Sequence, residues 1–205
     1  MKKSYWNNFY KKFNLKKPSL FARFVLKKLK RNSLLLEVGC GNGRDTLFFL
    51  KNNINCIAYD ISKTAIHQNR KLLNKVFYNK NICKKKEKLK KNYFDYIYAR
   101  FFLHAINKNE QKFFFINSFI TLKTNGFLYL EFRTINDTLF KKGKKLSHYE
   151  RITDHYRRFI NPIDLLKELK VNFNFKVIYC KSSTKFAIFK KQKPNVCRLI
   201  LKKIK

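Results

Sequence analysis

The spacing of apolar residues marks out the elements of the chain. Leu34, Leu35, Leu36 and Val38 form a short continuous apolar run, the pattern of a strand covered on both faces. The run ends in Gly39, Gly41 and Gly43, and a second apolar run follows to Leu50, so the stretch predicts strand, glycine loop, helix. Upstream, Phe21, Phe24, Val25 and Leu29 recur at helical spacing behind Ser19 as N-cap, and Tyr5, Trp6, Phe9, Tyr10 and Phe13 predict a further amphipathic piece. Downstream, residues 55–59 predict a second strand ending at Asp60. A helix then starts near Lys63 with Ala65, Ile66, Leu72 and Leu73 facing inward, and residues 76–78 form a third strand. Residues 93–98 predict a fourth strand, 110–122 a helix with Gly126 as its C-cap, and 127–133 a fifth strand, in which Glu131 or Arg133 reaches toward a ligand. Asn161 and Pro162 open a helix to Lys170, and residues 173–180 and 186–189 alternate as a closing hairpin.

Three glycines without Cβ atoms allow positive φ and close approach of the backbone to a ligand, and the helix behind them offers unpaired N–H groups. A small ligand is therefore expected at this loop. The spacing G-x-G-x-G by itself is shared by nucleotide sites, dinucleotide sites and plain turns. A dinucleotide fold of the NAD-binding kind wants G-x-G-x-x-G, and here the third glycine comes one residue early. Glu37 stands two residues before the first glycine and Asp60 stands 21 positions after Gly39, at a strand end. With these, the stretch resembles motif I and the acidic loop of class I S-adenosylmethionine-dependent methyltransferases. The resemblance extends over residues 33–189, through F-D-x-I at Phe94, Asp95 and Ile97, L-H-x-I at Leu103, His104 and Ile106, and L-K-T-N-G-F-L-Y-L-E-F-R at 122–133.

The resemblance implies an α/β fold, a Rossmann-like sheet of seven mostly parallel strands with an antiparallel final strand, helices on both faces and one crevice at the carboxyl ends of the strands. It implies S-adenosyl-L-methionine as cofactor, with Glu37, Gly39, Cys40, Gly41 and Gly43 around its methionine and ribose parts. Asp60 would accept the ribose hydroxyls with Ile61 beside it, and Asn81 and Ile82 would lie beside the adenine. The family usually carries an acid near Asn81; an amide oxygen there still accepts from the adenine amino group. The alternative for Asp60, or for Ser62, is capping of the helix near Lys63.

Composition changes this picture little. With 205 residues, 45% of them hydrophobic, the chain fits one domain, 1–205, made of a helical N-terminal cap (1–32), the core, an insert (134–160) and a basic C-terminal appendage (191–205). The net charge of +36 argues by itself for an anionic polymer or surface as partner. Lysine, however, is abundant along the whole length together with Asn, Ile, Phe and Tyr, and these share A/T-rich codons, so base composition accounts for them jointly. The densest clusters, 84–91 and 141–145, read as solvated loops. The five cysteines lack a C-x-x-C pair and read as buried thiols. No apolar stretch has the length of a signal peptide or a membrane span, and a cytoplasmic enzyme is expected.

The tetrad N/D-P-P-Y/F of exocyclic-amine methylation and the Pro-Cys pair of cytosine methylation are missing, which leaves a nucleic-acid acceptor the less favoured reading. Arg100 stands at the carboxyl end of the fourth strand, where open α/β sheets bind ligands. His104 reads either as a packed histidine or as a base. In the insert, His155, Tyr156, Arg157 and Arg158 crowd together, answered either by Asp154 and Glu150 or by an anionic or polyhydroxylated acceptor whose proton His155 takes. His155, Arg157, Arg158 and Arg100 are thus the candidate catalytic residues, and no metal is implied. The expected reaction is methyl transfer to an oxygen or nitrogen of a small polar or anionic molecule, such as a cell-surface saccharide. A tellurite- or thiol-type detoxifying methyltransferase and a basic RNA-binding protein or RNA methyltransferase are the alternatives.

Overall fold

The computed structural model describes residues 3–12, 17–85, 87–188 and 192–205. Phe13, Lys86 and Phe189, used above in the amphipathic piece, the basic cluster and the hairpin, lie outside them. In chain order the elements are α1 (Lys3–Lys12), α2 (Leu20–Leu26), β1 (Leu34–Val38), α3 (Arg44–Lys51), β2 (Asn55–Asp60), α4 (Lys63–Arg70), β3 (Phe77–Asn79), β4 (Phe94–Arg100), α5 (Lys108–Thr121), β5 (Leu122–Arg133), β6 (Lys144–Lys145), β7 (Glu150–Ile152), β8 (Tyr156–Arg158), α6 (Pro162–Asn172), β9 (Phe175–Ser183) and β10 (Val196–Lys203).

The apolar run of β1 divides the molecule because its alternate residues enter different cores. Leu36 packs with Ile97, Leu128, Leu130 and Leu199 under α5 and α6, whereas Leu35 packs with Tyr98, Tyr129 and Ile200 under α2 and α3. Helices therefore cover both faces of a seven-stranded sheet in the order β3-β2-β1-β4-β5-β10-β9. The strands from β3 to β5 pair in parallel, and β10 is antiparallel to both of its neighbours. Local chemistry starts the helices, α2, α4 and α6 where the sequence indicates and α5 at Lys108, ahead of the expected Glu110. Ser19 and Ser62 cap α2 and α4, Asn107 and Glu110 form a capping box on α5, and Asn161 caps α6 ahead of Pro162.

Four expectations are corrected. Gly126 caps no helix, since α5 ends at Thr121 and β5 begins at the next residue. Phe94 faces Leu122 while Tyr96 faces Phe127, so residues 123–126 bulge out, and Asn125 takes the left-handed turn at φ +64°. Gly126 is needed for closeness instead, since a Cβ there would stand 2.8 Å from the Asp95 carbonyl oxygen. Leu72 and Leu73 do not face inward; α4 stops at Arg70, and they are 63% and 40% exposed. Cys180 is exposed, unlike the other four thiols.

The largest correction concerns the C-terminus. The partner of β9 in the hairpin is β10, and β10 is an interior strand rather than a surface appendage. Its two buried basic residues, Arg198 and Lys203, are tolerated inside because each has acceptors. Arg198 Nε donates to Glu131 Oε2 at 2.9 Å, and Lys203 Nζ donates to Asn92 Oδ1, Phe119 O and Leu122 O at 3.0, 2.7 and 2.8 Å. The insert also has structure of its own, a three-stranded antiparallel sheet of β6, β7 and β8. No helix among the described residues is long and apolar enough to cross a membrane.

Lys203→Met keeps the stem and removes the ammonium from three oxygens. Folding stability is expected to fall by about 1–3 kcal/mol in urea denaturation, the cost of unsatisfied buried acceptors; a surface appendage would show no change.

Candidate active site

The glycine loop between β1 and α3 is held in shape by the end of β2. Gly39, Gly41 and Gly43 have φ of +73°, +52° and +72°. The Gly39 and Cys40 N–H groups donate to Tyr59 O at 2.8 and 3.2 Å, and Gly41 N–H donates to Asp60 Oδ2 at 2.8 Å. The other carboxylate oxygen, Asp60 Oδ1, accepts Ser62 N–H at 2.8 Å, and Asn69 Nδ2 donates to Gly41 O at 2.8 Å. Burial pushes the Asp60 carboxyl up, and the backbone N–H groups of Ser62 and Gly41 oppose that shift. A carboxylate has about four acceptor positions, so capacity remains on Asp60 for hydroxyl donors. Asp60 thus organises the loop, while Ser62 alone caps α4.

Beneath the loop lies a buried acidic layer. Thr46 Oγ1 donates to Glu37 Oε2 in a short bond, and Asp45 accepts from Ser19 N, Ser19 Oγ and Tyr98 Oη at 2.7, 2.7 and 2.8 Å. Burial, and then the Asp45 charge, raise the Glu37 carboxyl well above its usual range. Glu37 therefore supports the first turn of α3 from below the loop. Sequence reasoning missed Asp45; the available signal was an acid in the first turn of the helix behind the glycines. Cys40, Ile61 and Ile82 are buried, and Asn81 Oδ1 accepts Cys83 N–H at 3.0 Å within its own turn.

Helix α1 crosses above both halves of the crevice. A Cβ on Gly41 would collide with the Tyr10 ring, whose Cζ would be 2.6 Å away. Asn7 Oδ1 accepts from Ser62 Oγ at 2.8 Å and from Thr64 N–H at 3.4 Å. At its other end, Tyr5 Oη donates to Asp154 Oδ2 at 3.0 Å, and the Tyr5 and Trp6 rings lie 4.5 and 5.2 Å from the His155 ring. One short helix thus touches the glycine loop and the insert.

Further along the strand ends, Arg100, Glu131 and Arg198 occupy one register row across β4, β5 and β10. The Arg100 Nε–Glu131 Oε1 distance is 3.0 Å. The next residue, Phe101, has φ +54°, an unfavourable value for an aromatic side chain, with the Arg100 and Arg133 guanidinium carbons 4.2 and 5.6 Å from its ring centre. His104 packs against Phe101 and accepts Arg133 N–H on Nδ1 at 3.2 Å, so the neutral ring carries its proton on Nε2. Burial, followed by the charges of Arg133, Arg157, His155 and Arg100, pushes His104 well below 6.5. His155 Nδ1 stands 2.9 Å from Asp154 Oδ2, and Arg157 pairs closely with the same acid. His155 is also lowered, first by burial and then by Arg157.

Of the four candidate catalytic residues, His155 and Arg157 thus share Asp154, with their charges near enough to His104 to lower it, and Arg100 lies with Arg133 at the Phe101 ring. Arg158 does not join them. Its guanidinium is buried on Ile106 O at 3.1 Å, Leu103 O at 3.3 Å and Gln111 Oε1 at 2.6 Å, because alternation along β8 sends it to the opposite side from Arg157. Arg133, paired with Asp137 at 2.8 Å, stands in the cluster instead.

A glycine loop stapled to a strand-end acid, with a charged crevice beyond it, defines an α/β enzyme that holds a small ligand at the carboxyl ends of its strands. The family model described as a methyltransferase domain matches residues 10–179, most of the chain. The chain belongs to that family; it is a methyltransferase of the class I fold, and its cofactor is S-adenosylmethionine. Among solved structures, a SAM-dependent methyltransferase from Methanosarcina mazei superposes with a TM-score of 0.76 at 17% identity, covering 88% of this chain and 97% of that one. The phosphoethanolamine N-methyltransferase 1 of Haemonchus contortus, in complex with phosphoethanolamine and S-adenosylhomocysteine, gives 0.76 at 14% identity over 98% of this chain and 48% of its own. The 1,6-didemethyltoxoflavin-N1-methyltransferase of Burkholderia thailandensis gives 0.68 at 14%, over 90% and 77%. A comparison with curated proteins finds no significant match.

Because His104 stays neutral in the fold below 6.5 while the unfolded chain takes up a proton there, unfolding is favoured as pH falls. Stability should decline below pH 6.5 by up to about 1.4 kcal/mol per pH unit, with His155 adding in the same direction. Urea denaturation at neutral and mildly acidic pH measures this. His104→Asn, which retains an acceptor for Arg133 N–H, should flatten the slope.

Proposed function

We propose that the enzyme methylates an oxygen or nitrogen of a small polar or anionic molecule held between α1, Phe101, Arg133 and the insert. The observation that carries this reading is that Asp154 holds His155 and Arg157 together against Tyr5 and Trp6 of α1, the same helix whose Tyr10 reaches the glycine loop.

The residues around the loop suit the cofactor. Positive φ at the three glycines and the missing Cβ of Gly41 leave a cradle at the backbone, which the Tyr10 ring touches here, so α1 must yield at that point for a ligand to reach it. Asp60 has acceptor capacity for ribose hydroxyls, Ile61 and Ile82 offer apolar flanks to the adenine, and Asn81 offers an amide at its edge. When bound, S-adenosylmethionine supplies a methyl group made electrophilic by its sulfonium, and the remaining requirements are in-line placement and a base.

The two histidines differ in what they can do. His104 Nδ1 is taken by a backbone N–H, so its Nε2–H acts as a donor. The Asp154 carboxylate at His155 Nδ1 favours the proton on that nitrogen, which leaves His155 Nε2 as an acceptor. We therefore assign His155 as the general base for a hydroxyl or ammonium acceptor. Arg133 and Arg157 each face one acid, Asp137 and Asp154, and an anionic substituent of the acceptor can take a share of either pair. The Tyr5 and Trp6 rings offer a face for stacking, which suits a saccharide. Small-molecule acceptors named for the Haemonchus and Burkholderia enzymes are in keeping with this.

Asp60→Ala and Gly41→Val should each weaken S-adenosylhomocysteine binding in calorimetry, Asp60→Ala by roughly 10-fold or more for the loss of charge-assisted hydrogen bonds. Unchanged affinity in a folded variant refutes the cofactor site. With labelled S-adenosylmethionine and a metabolite extract, the methylated product is identified by mass. On that product, His155→Ala should lower turnover by about 10²-fold or more while leaving cofactor affinity intact. Wild-type turnover in this variant would sink the assignment of the base, and transfer of label only to RNA would replace the acceptor class.

A further inference from the structure

We propose that Cys180 and Cys197 form a reactive dithiol site, in which an exposed nucleophilic thiol and a buried resolving thiol reduce a small-molecule disulfide and close to a reversible cross-strand disulfide. The two sulfurs are 3.7 Å apart, Cys180 on the edge strand β9 and Cys197 on β10. Cys180 is exposed and Cys197 fully buried, which separates the roles of attacking and resolving group. An S–H bond from Cys197 lowers the Cys180 thiol to about 7, and the same bond together with burial pushes Cys197 far up. At neutral pH the exposed sulfur is therefore the nucleophile. The remaining thiols, Cys40, Cys56 and Cys83, are buried, and burial raises each of them.

The chemistry balances with a low-molecular-weight disulfide as oxidant. The Cys180 thiolate attacks one sulfur of the small disulfide, forming a mixed disulfide and releasing one small thiolate. Cys197 then attacks the Cys180 sulfur, its proton passes to the second leaving thiolate, and two small thiols are released as the two cysteines lose two electrons. Closure needs the sulfurs to approach to about 2.05 Å. In register, Cys180 faces Leu199 and Cys197 faces Ser182, so the pair is diagonal and its disulfide would be strained. Two features allow movement, namely the position of β9 at the edge of the sheet and the irregularity between Ile200 and Leu201. A strained, exposed disulfide is also easily reduced, which makes the modification reversible. The intervening segment is attached near the crevice by Asn195 to Thr134 and by Phe186 O to Arg198, so oxidation would cross-link a region that touches the end of β5.

The test exposes the reduced full-length chain to oxidised glutathione at neutral pH, quenches with acid, and reads intact mass and linked peptides. The wild type should lose two hydrogens, with the Cys180 and Cys197 peptides joined, and dithiothreitol should restore both thiols. Cys197→Ala should instead accumulate one glutathionyl group on Cys180, and Cys180→Ser should take up none. Both thiols remaining free in the wild type, or a mixed disulfide that persists on Cys180 beside an intact Cys197, would overturn the proposal. If Cys197→Ala does not fold, the wild-type peptide map decides alone.

Discussion

Glu131 sits between two arginines in the middle of the sheet, and much of the remaining architecture follows from it. Burial raises its carboxyl above the usual range, and the charges and hydrogen bonds of Arg100 and Arg198 oppose that shift. The three residues share one register row, so the bridge ties β4, β5 and β10 together at the end of the sheet where the crevice opens. Removing one member of a buried bridge of this type leaves an uncompensated charge, at a cost of about 3–5 kcal/mol. The bridge also explains why a lysine- and arginine-bearing C-terminal segment runs inside the molecule. Arg198 is further enclosed by the Phe24 and Phe186 rings, 4.8 and 4.4 Å from its guanidinium carbon.

The same row places the acceptor side of the crevice. Arg100 is drawn back onto Glu131, and the chain turns immediately through Phe101 in a left-handed conformation, bringing His104 against Arg133. The insert then contributes Asp154, His155 and Arg157 from the opposite side. Helix α1 meets this cluster with Tyr5 and Trp6 and meets the glycine loop with Tyr10, so movement of one helix would change both halves of the site together.

The turns and most of the helix caps are readable from neighbouring residues. The glycines, the strand-end Asp60 and the caps Ser19, Ser62 and Asn161 act over a few positions, and the structure places them as their sequence neighbourhoods indicate. Charge marks no surface at the C-terminus, glycine marks no helix end at Gly126, and apolarity marks no burial at Leu72, Leu73 and Cys180. Lys203 and Arg198 are buried because acceptors from Asn92, Phe119, Leu122 and Glu131 lie across the sheet, many residues away in the chain. Arg157 and Arg158 are adjacent in sequence, yet the two-residue period of β8 sends only one toward His155.

The sequence by itself determined the α/β order of elements, the glycine loop and the acid at the end of the next strand, because hydrophobic period and backbone freedom are properties of short segments. Tertiary structure alone decided which charges are interior, which of Arg157 and Arg158 pairs with Asp154, which residues of α1 meet the glycine loop and the insert, and that Cys180 meets Cys197. Each of these depends on register between distant strands or on packing across the strand ends, and the energy that makes a buried charge or a close pair of thiols tolerable belongs to partners that are brought together only by the complete fold.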